Sequence, residues 1–223
     1  MTKISIIFFR KSRLRFLVFM LLLPSSFVSC KEVKKSYWEN GKLKSVLQYK
    51  EEKLNGECVW YFENGVISQQ VEYKNNKLHG KTVRYFENGN VYMTGNYVDN
   101  LKDSVFNYFS QNGKMIVLET YRNDSLHGLM RKYHESGKIM VEGSYNEGLM
   151  DGTWLFYSNA GEIIGKADFE NGTGIQKSWY PNGKLQRVIR YNNNLKHGLE
   201  ELFTYDGLPE SSILYDKGKP VTE

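Results

Sequence analysis

The chain has 223 residues, 40% of them hydrophobic, and a formal net charge of +5. That charge is local: residues 1–29 hold Lys3, Arg10, Lys11, Arg13 and Arg15 and no acid, which leaves 25 Lys or Arg against 25 Asp or Glu in the remainder. A neutral remainder removes the basic footprint that a nucleic-acid or anionic-lipid partner calls for. The only cysteines are Cys30 and Cys58, too few for a disulfide framework.

The N-terminus reads as a secretory signal over residues 1–29. The basic residues precede an unbroken apolar run from Phe16 to Leu23, and Pro24, Ser25 and Ser26 follow. The run is far shorter than the roughly 20 residues of a spanning helix. Phe27-Val28-Ser29-Cys30 resembles a bacterial lipobox, which implies that Cys30 becomes the acylated first residue of the mature chain. The alternative is an ordinary signal peptidase site with an incidental thiol. Residues 30–36 then read as lipidated Cys and tether, with Lys31, Lys34 and Lys35 solvated.

From residue 37 onward a fixed period governs the sequence. Gly41, Gly65, Gly89, Gly113, Gly137 and Gly161 are each 24 apart, Gly183 follows after 22, and Gly207 after another 24. A second glycine column runs through Gly56, Gly80, Gly128, Gly152, Gly174 and Gly198, with Ser104 as its exception. Tyr37, Tyr61, Tyr85, Phe109, Tyr133, Tyr157, Trp179 and Phe203 form one aromatic column. Tyr49, Tyr73, Tyr97, Tyr121, Tyr145, Phe169, Tyr191 and Tyr215 form another. Between them lie Leu43, Ile67, Val91, Met115, Ile139, Ile163 and Leu185, ending at Pro209. The two-residue shortening falls between Gly161 and Gly174 and is expected in a connecting loop, where deletions are best tolerated.

Each unit reads as strand, glycine-containing loop, strand. The residue before the loop glycine is usually Asn but is Ser136, Ala160 or Asp206 in other copies, so only the glycine demands positive φ. That favours a three-residue loop with a type I turn and a left-handed Gly over a type I′ turn. The choice pairs Tyr61 with Ile67, and Tyr61, Ile67 and Tyr73 are expected on one face. Isolated hairpins are marginal in water, so the units must pair edge to edge. The expected fold is all-β: an elongated single-layer antiparallel meander of about eight 24-residue hairpin repeats and about 16 strands over residues 37–216. Residues 217–223 form a polar tail.

Tyr-Phe-Glu-Asn-Gly at 61–65 and 85–89, Leu-His-Gly at 78–80 and 126–128, and Trp-Tyr-Pro-Asn-Gly at 179–183 resemble the MORN repeat variant, also called MORN-2. The resemblance implies the same hairpin meander and an interaction or membrane-association module. Chains of this kind also resemble YwqK-type toxin-antitoxin system antitoxins and envelope lipoproteins of Bacteroidota. That implies an antitoxin-like role as one alternative, and an outer-membrane anchor in a Gram-negative envelope.

No convergent catalytic constellation is present, so an enzyme is not expected, and no cofactor or metal is implied. His79, His127 and His197 share one column and read as loop-packing residues, and His134 as a surface residue. Cys58 reads as a small strand residue, and Glu51 and Glu52 as a solvated turn. The leading functional expectation is a scaffold, anchored to the membrane by lipid, that binds a protein partner through the central rings Tyr85, Tyr97, Phe109, Tyr121, Tyr133 and Tyr145. A surface glycan is a second candidate ligand, and self-association into a homo-oligomer a further one.

Overall fold

The computed structural model describes residues 31–221. Over that range the chain forms one antiparallel sheet of nineteen strands, three of them two-residue segments, and no helix. Each of the longer strands pairs with the longer strands before and after it, as in the run Gly56–Tyr61, Ile67–Lys74, Lys77–Tyr85 and Val91–Val98. This is the expected meander. It begins earlier than expected, because Lys31–Ser36 is part of the strand Lys31–Tyr37, which pairs with Leu43–Lys50. Its exposed lysines are compatible with an edge strand, whose outer side must resist further pairing. At the other end Lys217 and Gly218 turn the chain, and Lys219–Pro220 pairs back onto Tyr215 and Asp216. Residues 1–30, which include the expected signal segment and Cys30, lie outside the described residues.

The turns lie along two edges, and each edge has its own chemistry. On the first, the Gly65 N–H donates to Phe62 O at 2.9 Å and the Phe62 N–H to Val66 O at 2.8 Å, which closes a type I turn followed by left-handed glycine. Gly65 has φ 93 while Ala160, in the preceding turn position of a later copy, has no positive φ. Asparagine dominates that preceding position for another reason: Asn64 Oδ1 accepts from the Val66 N–H at 2.9 Å and its Nδ2 donates to Glu87 O at 3.0 Å in the next unit.

On the second edge the turns have two residues, both with positive φ, such as Asn75 (52) and Asn76 (66), which is the type I′ geometry. These turns stack as well, since the Asn76 N–H donates to Leu54 O at 2.9 Å and Asn76 Oδ1 accepts from the Leu54 N–H at 2.7 Å.

Register decides which side chains share a face. Tyr61 pairs with Ile67, as expected, but the preceding pair is Trp60 with Gln69, so Ser68 is one residue too many. The same single-residue bulge recurs in every hairpin of the first kind, for example at Arg84 with Met93 and Tyr85 with Val91. One extra residue moves everything beyond it to the other face. Tyr73 therefore lies opposite to Tyr61 and Ile67, which corrects the single-face expectation. In the alternate strand pairings, that of Ile163–Glu170 with Thr173–Trp179 excepted, two residues are extra, as between Val71 with Thr82 and Tyr73 with Leu78, and an even number leaves the face unchanged.

The sheet thus has a packed face and an open face. The packed face carries a central row that includes Cys58, Val71, Thr82, Phe106, Met130, Trp154, Ala167, Ile189 and Glu200, all buried. Large side chains there lie over missing ones. A Cβ on Gly95 would overlap the Phe106 ring, and one on Gly143 the Trp154 ring. Burying each such ring is worth roughly 1.5 to 3 kcal/mol, which is how a single layer acquires a core.

Candidate interaction surface

The six rings singled out from the sequence are split by the bulge. Tyr97, Tyr121 and Tyr145 belong to the packed face, and Tyr85, Phe109 and Tyr133 to the open face. The packed-face rings are structural. Phe106 stands edge-on between Tyr97 and Tyr121, with centroids 5.5 and 5.3 Å away, and Tyr145 meets Trp154 at 5.1 Å. Lys102 Nζ sits 4.4 Å over the Tyr121 ring and 4.9 Å over Phe106. Burial, followed by the hydrogen bond that Tyr121 donates to Glu119 at 2.7 Å, pushes the Tyr121 phenol well up. These rings are committed to their own chain.

The open face is different. Each first-column ring pairs with its aliphatic partner, Tyr85 with Val91, Phe109 with Met115 and Tyr133 with Ile139, so rings and aliphatics alternate from strand to strand along the array. These residues are half-buried, and Tyr37 and Ile163 are more exposed than the rest. Beside the stripe runs a polar band that neutralises itself. Tyr85 Oη donates to Gln70 at 2.7 Å, and Arg131 and Tyr157 both donate to Glu142, at 3.0 and 2.6 Å. The Tyr157 hydroxyl and then Arg131 hold the Glu142 carboxyl below its ordinary range, against the opposing effect of burial.

The loop glycines Gly41, Gly65, Gly89, Gly113, Gly137, Gly161, Gly183 and Gly207 all have positive φ and hold the first edge. His79, His127 and His197 each face one acid of a following turn, Asp99 at 3.5 Å, Glu147 at 3.3 Å and Asp216 at 3.3 Å. Among the described residues no group of three or more His, Cys, Asp or Glu is placed to hold a metal. His134 reaches Tyr157 O at 3.0 Å through Nε2, a contact between units that its isolated position in the sequence did not suggest. Cys58 is fully buried in the central row, and burial pushes its thiol up.

The family model for the MORN repeat variant matches five stretches of the chain, residues 33–51, 54–75, 78–99, 126–147 and 173–193. No curated protein matches the sequence. Among solved structures, a chain in the TcdB2-TccC3-Cdc42 crystal structure is 11% identical with a TM-score of 0.23, and the match covers 77% of this chain and 12% of that one. A chain of the Photorhabdus luminescens Tc holotoxin pore is also 11% identical with a TM-score of 0.22, covering 84% of this chain and 12% of that one. At these scores the likeness says nothing about activity. Each of the five family matches falls on one hairpin unit of the sheet, and the chain thus carries five stretches that match the MORN repeat variant.

Proposed function

We propose that the chain is a non-catalytic repeat scaffold, held at the bacterial envelope by a lipid on Cys30, that binds a protein partner along the stripe of rings and aliphatics on its open face. The observation that carries the reading is the continuity of that stripe: the same half-buried pair recurs from unit to unit, on a face that no second layer covers among the described residues. Aromatic residues flanked by satisfied polar groups are the composition of an interface core and its rim. The adjoining acids and bases pair with one another, as Arg190 does with Glu201 at 2.7 Å, so recognition rests on shape and apolar contact.

The test compares folded variants. Tyr85→Ser with Phe109→Ser, and Phe109→Ser with Tyr133→Ser, should keep strand content by circular dichroism and lose capture of a partner isolated from envelope extract. Unchanged capture by both would remove the stripe from the reading. The anchor rests on the order of residues 1–30 and is tested separately. Mass spectrometry of the membrane fraction should find a lipid on Cys30, and Cys30→Ser should shift the protein to the soluble fraction; identical fractionation of the two would refute it.

A further inference from the structure

A third ring column lies one residue beyond the first, at Trp38, Phe62, Phe86, Ser110, His134, Ser158, Tyr180 and Thr204. The one-residue step puts it on the packed face, next to the first-edge turns, where the Phe86 ring meets Tyr92 at 5.2 Å. Three of its members reach the following unit through a polar ring atom. Trp38 Nε1 donates to Tyr61 O at 3.2 Å, Tyr180 Oη donates to Phe203 O at 2.9 Å, and His134 Nε2 lies 3.0 Å from Tyr157 O. The place is thus built for a ring, and a backbone carbonyl meets the ring's donor.

Two grooves lie along this column, one beside Ser110 and one on the strands that follow Ser158. Lys114, Met115, Ile116, Tyr133, His134 and Glu135 line the one beside Ser110, about 310 Å³ in volume. Glu162, Ile163, Ile164, Trp179, Tyr180 and Pro181 line the one that follows Ser158, about 530 Å³. These are the same six repeat positions, two units apart. The aliphatic at the bulge position is left exposed in both, Ile116 at 42% and Ile164 at 41%.

We propose that each groove receives the side-chain ring of a tryptophan or tyrosine from a partner peptide, standing where Phe62 and Phe86 place a ring of their own. The carbonyls of Tyr133 and Trp179 occupy the positions at which Tyr61, Tyr157 and Phe203 meet a ring donor, so indole and phenol are preferred to phenyl. Two units span four strands, about 19 Å at the usual strand spacing. An extended peptide rises roughly 3.3 Å per residue, so rings six residues apart span that distance and project to the same side. The inference stands on a different observation from the open-face stripe, the interrupted third column, although Met115, Tyr133, Ile163 and Trp179 of that stripe also contribute to the groove walls.

The test uses the full chain in detergent with 13C-labelled isoleucine methyls. N-acetyl-tryptophanamide should shift the Ile116 and Ile164 methyls and leave those of Ile67 and Ile139, on the open face, unmoved. N-acetyl-phenylalaninamide should bind more weakly. Ser110→Phe, which copies the residue of two neighbouring units, should abolish the Ile116 response alone, and Ser158→Phe the Ile164 response alone. Unperturbed Ile67 and Ile139 methyls report that both variants are folded. A heptapeptide with tryptophan at both ends should bind at least tenfold tighter than its single-tryptophan counterpart. Responses that survive the serine replacements, or no response at either methyl, would overturn the proposal. So would stronger shifts of the same methyls by chitotriose, which would make the grooves glycan sites.

Discussion

Replacing Glu52 by glycine should stabilise the protein. Glu51 and Glu52 form a type I′ turn with φ of 51 and 61, and the same second position is Gly148, Gly172 and Gly218 in other copies, at φ of 83, 75 and 83. A residue with a Cβ pays roughly 1 to 2 kcal/mol in the left-handed region, while glycine gives back about 0.5 to 1 kcal/mol through its freer unfolded chain. Glu52 is exposed, and removing its side chain uncovers nothing. The net gain is therefore about 0.5 to 1 kcal/mol, or roughly 1 to 4 °C in melting temperature for a chain of this size. Asn76→Gly is the contrast. Asparagine tolerates the left-handed region better, and its Oδ1 holds the Leu54 N–H at 2.7 Å, a hydrogen bond worth on the order of 1 kcal/mol. That variant should gain nothing or lose. Urea unfolding followed by far-UV circular dichroism measures both, with midpoints compared only where the slope is unchanged, because repeat arrays can unfold in parts. A lower midpoint for Glu52→Gly at unchanged slope would refute the turn argument.

Gly143→Ala should cost about 1 to 3 kcal/mol, since the added methyl collides with the Trp154 ring in the best-packed part of the central row, and melts that match wild type would show that the row yields there. Glu200 is buried, and burial alone would raise its carboxyl, but Lys196 at 2.6 Å and Arg187 together hold it below the ordinary range. A depressed carboxyl stabilises the fold above its unfolded value of about 4.3 and loses that contribution as pH falls toward the folded value. The wild-type chain should accordingly lose more stability below about pH 4.3 than Glu200→Gln, and parallel acid limbs for the two proteins would contradict it.

The period, the hairpins and the glycine loops are legible in the sequence because each is enforced by one residue type at one position: only glycine sits easily at the φ of 80 to 95 found in the first-edge turns. The faces are not legible, because the bulge has no composition of its own. Its extra residue is Ser68 in one unit, Tyr92 in another and Ile116 in the next, so nothing in that column announces that the two aromatic columns have parted. The second glycine column shows the same limit. Its place in a two-residue bulge gives Gly80 a φ of 114 and Gly128 a φ of 103, and even Ser104 takes positive φ, at 67. The column of glycine was visible, while the bulge that requires it was not. The grooves escape for a further reason: they lie along a third column of rings that serine interrupts at 110 and 158, beside two columns of rings that run unbroken.

The shortened step between Gly161 and Gly183 shows how the array tolerates change without losing its surfaces. The two missing residues were expected in a loop, but the turn at Asn171 and Gly172 is kept, and what is gone is the two-residue bulge. Pairing runs without a shift from Gly165 with Ser178 to Glu170 with Thr173. Gly174 has no positive φ, yet a Cβ there would overlap the Asp168 carbonyl oxygen and come within 2.7 Å of the Phe169 ring, so glycine is held by the close approach of the neighbouring strand. Asn194 compensates on the second edge. Its Oδ1 accepts from the Met150 N–H and its Nδ2 donates to Gly148 O, both at 2.8 Å, across the space left open at Gly172. A loss of two residues preserves the face of every side chain that follows, whereas a loss of one would exchange the faces. The consequence is functional as well as structural: Tyr180, which follows the loss, stays on the side that carries Ser110, Ile116 and Ile164. The two grooves therefore open on one surface, although the repeat between them is not uniform in length.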